Sequence, residues 1–387
     1  MSLYDELVKA ENPVNAYRRN ILKNVRAKKI LHSAFFELTP LCNFTCPFCY
    51  ARVSPEQLKE RGEKILRFDY WKRIIDELIE MKTHSVSFSG GECTLHPDFV
   101  KLYRYVYDKG LSISIFTNGS AITDEILQMF SEYPPASIQI TMYGSTPEKY
   151  KLVCGKAEYY DRVVNNIKRL KNAGLNLTLQ FTANKDNLED LEPISDIAFE
   201  LNVPFRHTME YLNYRRCDDD IISENIADRK EYLNILKRII DKQHKAKDDV
   251  NVENEATQKF VPQKVPVVEK GITCGAGRSG CAFNYKGEML PCISLDAIKV
   301  KVAGRKIADC WKELVEKCSE VPRLVECTNC IHNTHCRTCI AFHYNDTHEF
   351  GKPSPRLCYK VQYPEKAKKI EEFYKANGYI LNSMYDD

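Results

Sequence analysis

From Ser33 to Leu212, short apolar, β-prone runs alternate with segments of helical periodicity, and no other feature restricts the fold as strongly. The runs are "SAFFELT" (33–39), "SVSFSGGE" (85–92), "LSISIFTNGS" (111–120), "SIQITMYGS" (137–145), "LNLTLQFTANKDN" (175–187) and "PFRHTMEYL" (204–212). Between them, "DYWKRIIDELIEM" places Trp71, Ile74, Ile75 and Leu78 on one helical face, and "HPDFVKLYRYVYDKG" is a helix stopped by Gly110. "TDEILQMF", "DRVVNNIKRLKNAG" and "LEDLEPISDIAFELN" continue the series. Strands that each lead into a helix predict parallel βα units. Six such units, two short of a closed eightfold barrel, predict an α/β fold, a partial (βα)6 TIM-like barrel. Functional residues then belong in the loops at the C-terminal ends of the strands.

After Tyr211 the pattern changes. "ISENIADRKEYLNILKRIIDKQHK" reads as a helix, and a charged linker or extended loop runs on to Gly271. The division this predicts is a basic helical segment at 1–32, a barrel at 33–215, helix and linker at 216–270, a cysteine-rich module at 271–360 and an amphipathic helix at 361–387. The module offers one helix, "IADCWKELVEKC", and little other apolar periodicity, so bound metal is expected to help hold it folded. With 43% hydrophobic residues the chain can bury a substantial core, and a net charge of +3 gives no argument for nucleic acid. The basic segment 18–29 carries Arg18, Arg19, Lys23, Arg26, Lys28 and Lys29 without an acid, either a solvated helix face or a cationic rim for an acidic peptide. No signal sequence and no uncharged apolar run near the ~18 residues of a membrane span is visible, so a cytoplasmic, non-membrane protein is the expectation.

Sixteen cysteines dominate the chemistry. Cys42, Cys46 and Cys49 form C-x3-C-x2-C directly after the first strand, and eight more lie between Cys274 and Cys358 at metal-like spacings. Structural zinc sites close with four ligands. Three thiolates on one loop instead suit a 4Fe–4S cluster with one iron open to a non-protein ligand, and the spacing favours iron–sulfur over zinc.

The motif C-x3-C-x-aromatic-C, with Phe48 in the aromatic position, resembles the radical S-adenosylmethionine (SAM) superfamily. The resemblance implies that the open iron binds SAM and that reduction through the cluster yields a 5′-deoxyadenosyl radical. "SFSGGECTLHPDF" matches the family's Gly-Gly-Glu segment at Gly90, Gly91 and Glu92, the last implied to pair with the SAM ammonium. Asn118 in "FTNG" and Thr141 in "QITMYGS" fall where family residues contact SAM.

The downstream cysteines resemble the SPASM extension of radical SAM enzymes, with its G-x4-C element present as "GEMLPC". The resemblance implies two auxiliary 4Fe–4S clusters, three in all with the first. Carried over by position, Cys274, Cys281, Cys292 and Cys339 would hold one, and Cys327, Cys330, Cys336 and Cys358 the other. The spacing before Cys339 is x2 where the family has x3, and in some relatives the Cys281 position is empty, leaving an iron open. A zinc ribbon is the alternative for Cys327 to Cys339. Cys93, Cys154, Cys217, Cys310 and Cys318 read as buried thiols. Tyr143, His207 and Glu210, with Arg206, are candidates for the substrate end of the barrel.

SPASM relatives mostly modify peptides or proteins, which implies a peptide substrate, a low-potential donor of flavodoxin or ferredoxin type, and a separate leader-binding protein or the basic segment 18–29 for leader recognition. The alternative within the family is sulfatase maturation to formylglycine. There an aspartate follows the G-x4-C cysteine, but Ile293 stands here, with Asp296 further on, which favours peptide tailoring. Electron transfer by Fe–S clusters alone and a zinc-stapled binding module are the non-enzymatic readings.

Overall fold

Six parallel strands follow one another across an open sheet. They are β1 (Ser33–Thr39), β2 (Ser85–Gly90), β3 (Ser112–Thr117), β4 (Ser137–Met142), β5 (Leu177–Thr182) and β6 (Phe205–Thr208). A computed structural model describes residues 13–51, 53–209, 227–246, 270–328, 330–332 and 339–376. The sheet order is β6-β5-β4-β3-β2-β1-β7-β8, where β7 (Gly280–Phe283) and β8 (Met289–Leu290) come from the cysteine-rich segment. Among the described residues the helices longer than one turn are α1 (Pro13–Ala27), α2 (Pro55–Glu60), α3 (Phe68–Glu80), α4 (Phe99–Asp108), α5 (Asp124–Glu132), α6 (Pro147–Cys154), α7 (Tyr160–Asn172), α8 (Leu191–Glu200), α9 (Arg229–Ala246), α10 (Ile307–Ser319), α11 (Ile340–Thr347) and α12 (Pro364–Ala376). The partial α/β barrel expected from the sequence is the observed architecture. Among the described residues no helix is long and apolar enough to cross a membrane.

Successive strand residues face opposite ways, and here the two faces differ in chemistry. In β4, Ile138, Ile140 and Met142 are buried, while Ser137, Gln139 and Thr141 are half-buried. Strand β5 repeats this with Leu177, Leu179 and Phe181 against Thr178, Gln180 and Thr182. The apolar rows form the layer beneath the helices. The other rows leave the barrel lined by small polar side chains, such as Ser114 bonded to Ser137 at 3.1 Å, so the interior is suited to a polar ligand.

Helix α6 has no counterpart among the predicted helices, although its ends carry ordinary signals. Thr146 caps it through Lys149 N at 3.3 Å, proline opens its first turn, and Gly155 ends it at φ 77°. Its short length and weak amphipathicity hid it.

The C-terminal segment departs from the coreless module expected. Strand β7 pairs in parallel with β1, Ala34 opposite Cys281 and Phe36 opposite Phe283. Met289, Leu295, Val300, Val302, Ile307 and Leu314 belong to the same buried core as the barrel. Leu295, Val300 and Val302 come singly from outside the helices and strands, where no periodicity reveals them. Helix α10 is seated on the barrel by Ile307 N–H donating to Glu77 at 2.7 Å and Trp311 Nε1–H donating to Lys29 O at 2.9 Å. Gly287 of the G-x4-C element has φ 76°, and a Cβ there would stand 2.6 Å from Tyr70 Cζ, so glycine lets this turn lie on α3 without displacing the Tyr70 ring.

Candidate active site

The cysteine loop leaves β1 at Thr39 and is tied down on three sides. Gly91 N–H donates to Thr39 O at 2.7 Å, Glu92 N–H to Leu41 O at 2.9 Å, and Val53 N–H to Pro40 O at 3.1 Å. On the remaining side, Thr45 N–H and its hydroxyl both donate to Cys154 O, the last carbonyl of α6, at 3.0 and 3.2 Å. Phe44 fills an aromatic socket of Tyr143, Tyr150 and Tyr159 and is 1% exposed. Sequence reasoning missed Phe44 and α6; only the tertiary fold brings residues 143–159 against the loop.

The Gly-Gly pair acts first on this packing. A Cβ on Gly91 would overlap Leu41 O and stand 2.6 Å from Pro40 O, and one on Gly90 would overlap Thr39 O. The glycines let the end of β2 lie flush against the loop backbone, so their requirement here comes from the chain itself.

Glu92 then links the ends of β2 and β3. It is 1% exposed; its Oε1 accepts from Thr94 N–H at 3.1 Å, the Thr94 hydroxyl at 2.6 Å and the Thr117 hydroxyl at 2.8 Å, and Oε2 accepts from Asn118 N–H at 2.7 Å. Asn118 Nδ2 stands 3.0 Å from Asn43 Oδ1 and 3.6 Å from Cys42 Sγ, while its Oδ1 accepts from the Ser120 N–H and hydroxyl. Burial and the Glu92 charge push the Cys42 thiol up to about 12, partly opposed by Phe44 N–H and Asn118 donating to its sulfur. The Cys154 thiol, burial and the neighbouring cysteines also raise Cys46. Metal must displace these protons, and donors aimed at Cys42 Sγ are arranged to steady the resulting thiolate.

The remaining candidates separate. Tyr143 faces the loop: burial first, then Cys46, Cys42 and Cys49, hold its phenol proton on, and Phe48 lies 6.5 Å from its ring. Thr141 is on the polar face, in register with Gln180, which is itself in register with Arg206. His207 is turned the other way, in register with buried Phe181 and with Nδ1 2.7 Å from the Tyr232 hydroxyl of α9. Strand alternation therefore gives the inward place to Arg206 and corrects the expectation for His207. Glu210 and Cys217 lie outside the described residues.

In the C-terminal segment Cys330 and Cys358 are neighbours, since the Cys358 charge raises the Cys330 thiol after burial does, and Cys330 N–H donates to Cys327 O at 3.3 Å. Cys336 lies outside the described residues. Cys339 precedes α11, whose Asn345 donates to Ser294 O at 2.9 Å, bringing α11 to the Cys292 turn. Among the described residues no three His, Cys, Asp or Glu side chains converge as a single ion would need; the thiolates of a cubane each take a separate iron. Thiols grouped on loops, with donors aimed at one sulfur, fit a cluster.

An open parallel barrel with three cysteines after its first strand and a carboxylate joining the next two strand ends defines a class of SAM-dependent radical enzymes. Residues 36–197 match the radical SAM superfamily and form a radical SAM domain; the chain is an enzyme that uses SAM and an iron–sulfur cluster. The AdoMet-dependent heme synthase of Methanosarcina barkeri is 24% identical over 342 residues, 84% of this chain and 95% of that protein. The PqqA peptide cyclase of Bradyrhizobium diazoefficiens is 24% identical over 268 residues, 69% of this chain and 67% of the cyclase. In fold, the chain is similar to Streptococcus suis SuiB bound to precursor peptide SuiA, with a TM-score of 0.61 at 15% identity over 87% of this chain and 79% of that one.

Proposed function

We propose that this enzyme modifies a peptide, with SAM bound between the Cys42–Cys49 loop and the ends of β2 to β4. The chemistry that a 4Fe–4S cluster with one open iron would supply there is one electron for reductive cleavage of SAM to methionine and a 5′-deoxyadenosyl radical, which would take a hydrogen atom from the substrate. Cys42, Cys46 and Cys49 would hold that cluster. Phe48, Gly90, Gly91, Glu92, Asn118 and Thr141 would border SAM. Among the described residues Glu92 Oε2 accepts from Asn118 N–H, whereas Oε1 accepts from the Thr94 N–H and the Thr94 and Thr117 hydroxyls, leaving Oε2 capacity for an ammonium. Tyr143 excludes water from the loop side, and the inward row Thr141, Gln180 and Arg206 offers polar contacts to substrate. Two auxiliary 4Fe–4S clusters, one on Cys274, Cys292, Cys339 and a fourth thiolate, the other on Cys327, Cys330, Cys336 and Cys358, would accept the second electron.

The observation that carries this reading is the convergence of the loop, Glu92 and Asn118 on Cys42. The likeness to the PqqA peptide cyclase supports a peptide, a low-potential flavodoxin- or ferredoxin-type donor fits the reduction, and leader recognition falls to a separate protein or to segment 18–29. Sulfatase maturation is the less favoured reading, because Ile293 replaces the expected aspartate.

Anaerobically reconstituted enzyme, dithionite and SAM should yield 5′-deoxyadenosine by mass spectrometry; its absence sinks the radical reading. The heme synthase likeness supports a tetrapyrrole instead. Deuterium passing into 5′-deoxyadenosine from a deuterated peptide encoded beside the gene, and not from a deuterated coproporphyrin, decides for the peptide.

A further inference from the structure

We infer that Cys318, not Cys281, is the fourth thiolate of the auxiliary cluster at Cys274, an inference that rests on the three-cluster reading above. The first ground is where Cys281 points. It lies inside β7 opposite Ala34, and strand alternation puts its side chain on the same face as Phe283. Phe283 stacks on Phe36 at 5.2 Å, and Phe36 meets the edge of Trp71 of α3 at 5.4 Å. Cys281 is thus a member of the apolar layer between sheet and helices. It is 4% exposed, and burial alone raises its thiol, with no other cysteine contributing.

Cys318 is buried as well, at 2% exposed, but against the Cys274 turn. It is near the end of α10, and its carbonyl accepts from Ile272 N–H at 3.2 Å, close in the chain to Cys274. Its side chain presses on Gly277, where an added Cβ would stand 2.8 Å from Cys318 Cβ and overlap Sγ. Gly277 belongs to the tight turn after Cys274, closed by Gly280 N–H to Gly275 O at 3.0 Å. Cys318 therefore sits beneath the turn that carries Cys274. Cys292 and Cys274 both act electrostatically on its sulfur, so both ligands already assigned to this cluster are near it.

A second observation points to an anion at the same turn. Arg26 of α1 lays Nε and Nη2 3.8 Å from the Cβ position of Gly275, and Nε is buried without a hydrogen-bond partner among the described residues. A cluster with four thiolates is negatively charged, and a guanidinium beside Cys274 suits it. When a preformed cluster is transferred to the site, the four thiols lose their protons to solvent and displace the donor's four ligands, one sulfur–iron bond formed for each one broken, with no electron transferred.

The test uses the full chain, reconstituted anaerobically, as wild type, C281A, C318A and C318S. Wild type should hold about twelve iron, three clusters of about four. Holding about four would overturn the three-cluster reading and this inference with it. With twelve iron and SAM occupying the first cluster, 13C-cyanide should show no hyperfine coupling to a reduced auxiliary cluster in wild type or C281A. In C318A it should couple to one, and C318S should shift the EPR signal of that same cluster while the far-UV spectrum stays native. Cyanide coupling in wild type needs no variant to read and overturns the inference, because it reveals an iron without a fourth thiolate. A signal changed in C281A, or unchanged in both Cys318 variants, overturns it equally.

Discussion

The loop after β1 and the cysteine turns beyond Gly271 use the same residue in two different settings. Around Cys42, Cys46 and Cys49 the backbone is bonded to β2, to α6 and back onto Pro40, and Phe44 is anchored among three tyrosines. The protein alone positions that loop. In the C-terminal segment the buried apolar residues come from β7, β8, α10 and the turns between them, whereas Cys274 is exposed and Cys292, Cys327, Cys330, Cys339 and Cys358 are half-buried on the rim. There a cluster would tie together surface turns around an existing core. The contrast teaches that a crowded set of cysteines does not imply a missing core.

Changes that break the first plan should therefore spare the second. The largest effect is expected from Gly91→Ala, whose methyl would stand 2.6 Å from both Leu41 C and Pro40 O, backbone atoms that cannot rotate away. Iron should fall by about a third, four of about twelve, and 5′-deoxyadenosine formation should drop at least to the detection limit. Full iron with normal turnover in this variant would show that the loop is not as tightly positioned as its contacts imply. Gly287→Ala is the control in the other region: the obstacle is the Tyr70 ring, a side chain that can move, although φ 76° still strains it. Its loss should be the smaller of the two.

Next in size is Phe44→Ala. Emptying a socket of this kind typically costs about 3–5 kcal/mol, read as a lower urea midpoint with an unchanged slope. The auxiliary EPR signals should persist in the folded fraction. If the auxiliary clusters are lost together with the first, the two regions are one cooperative unit and the contrast above fails.

Much of this was legible before the fold was known, for reasons that differ between regions. The βα alternation marks β1 to β6 because each strand must bury one face under a helix, and the C-x3-C-x2-C loop is local in sequence, so spacing alone displays it. Spacing singles out Glu92 but not the donors it gathers, since Thr117 and Asn118 reach it from the end of the next strand. His207 was misjudged because a strand boundary does not tell which face is inward; the register with Phe181 does. The same ambiguity hides Cys281, whose spacing reads as a ligand while its strand position reads as core.

Glu92→Gln tests how far the fold, rather than SAM, accounts for that carboxylate. The amide must set its NH2 either against the three donors at Oε1 or against Asn118 N–H, so at least one donor meets another. A loss of about 1.5–3 kcal/mol is expected, the scale of hydrogen bonds to charged groups. The urea midpoint without SAM checks it. An unchanged midpoint with weakened SAM binding would assign Glu92 to the ligand alone, and the C-terminal spectra should again be unaffected.

The smallest effect belongs to a pair at the helix ends of the barrel's outer layer. Asp98 accepts from Arg67 Nε and Nη2 at 2.7 and 3.0 Å and from Phe68 N–H, the first residue of α3, at 3.0 Å. Arg67, then burial opposing it, then Phe68 N–H set the Asp98 carboxyl at about 2, below its ordinary value. A carboxyl depressed in the folded state adds stability above its unfolded pKa of about 4, and that stability is lost as pH falls through about 2. Asp98→Asn should therefore flatten the decline of stability between about pH 4 and pH 2, with little change at pH 7 beyond the lost ion pair. Because the Arg67 side chain is 65% exposed, solvent and salt screen most of the attraction, and the loss should shrink further at high ionic strength. A large, salt-insensitive loss would mean that the Phe68 cap, not the charge pair, carries the effect, and that α3, the helix on which both α10 and Gly287 rest, is the element through which barrel and C-terminal segment share their stability.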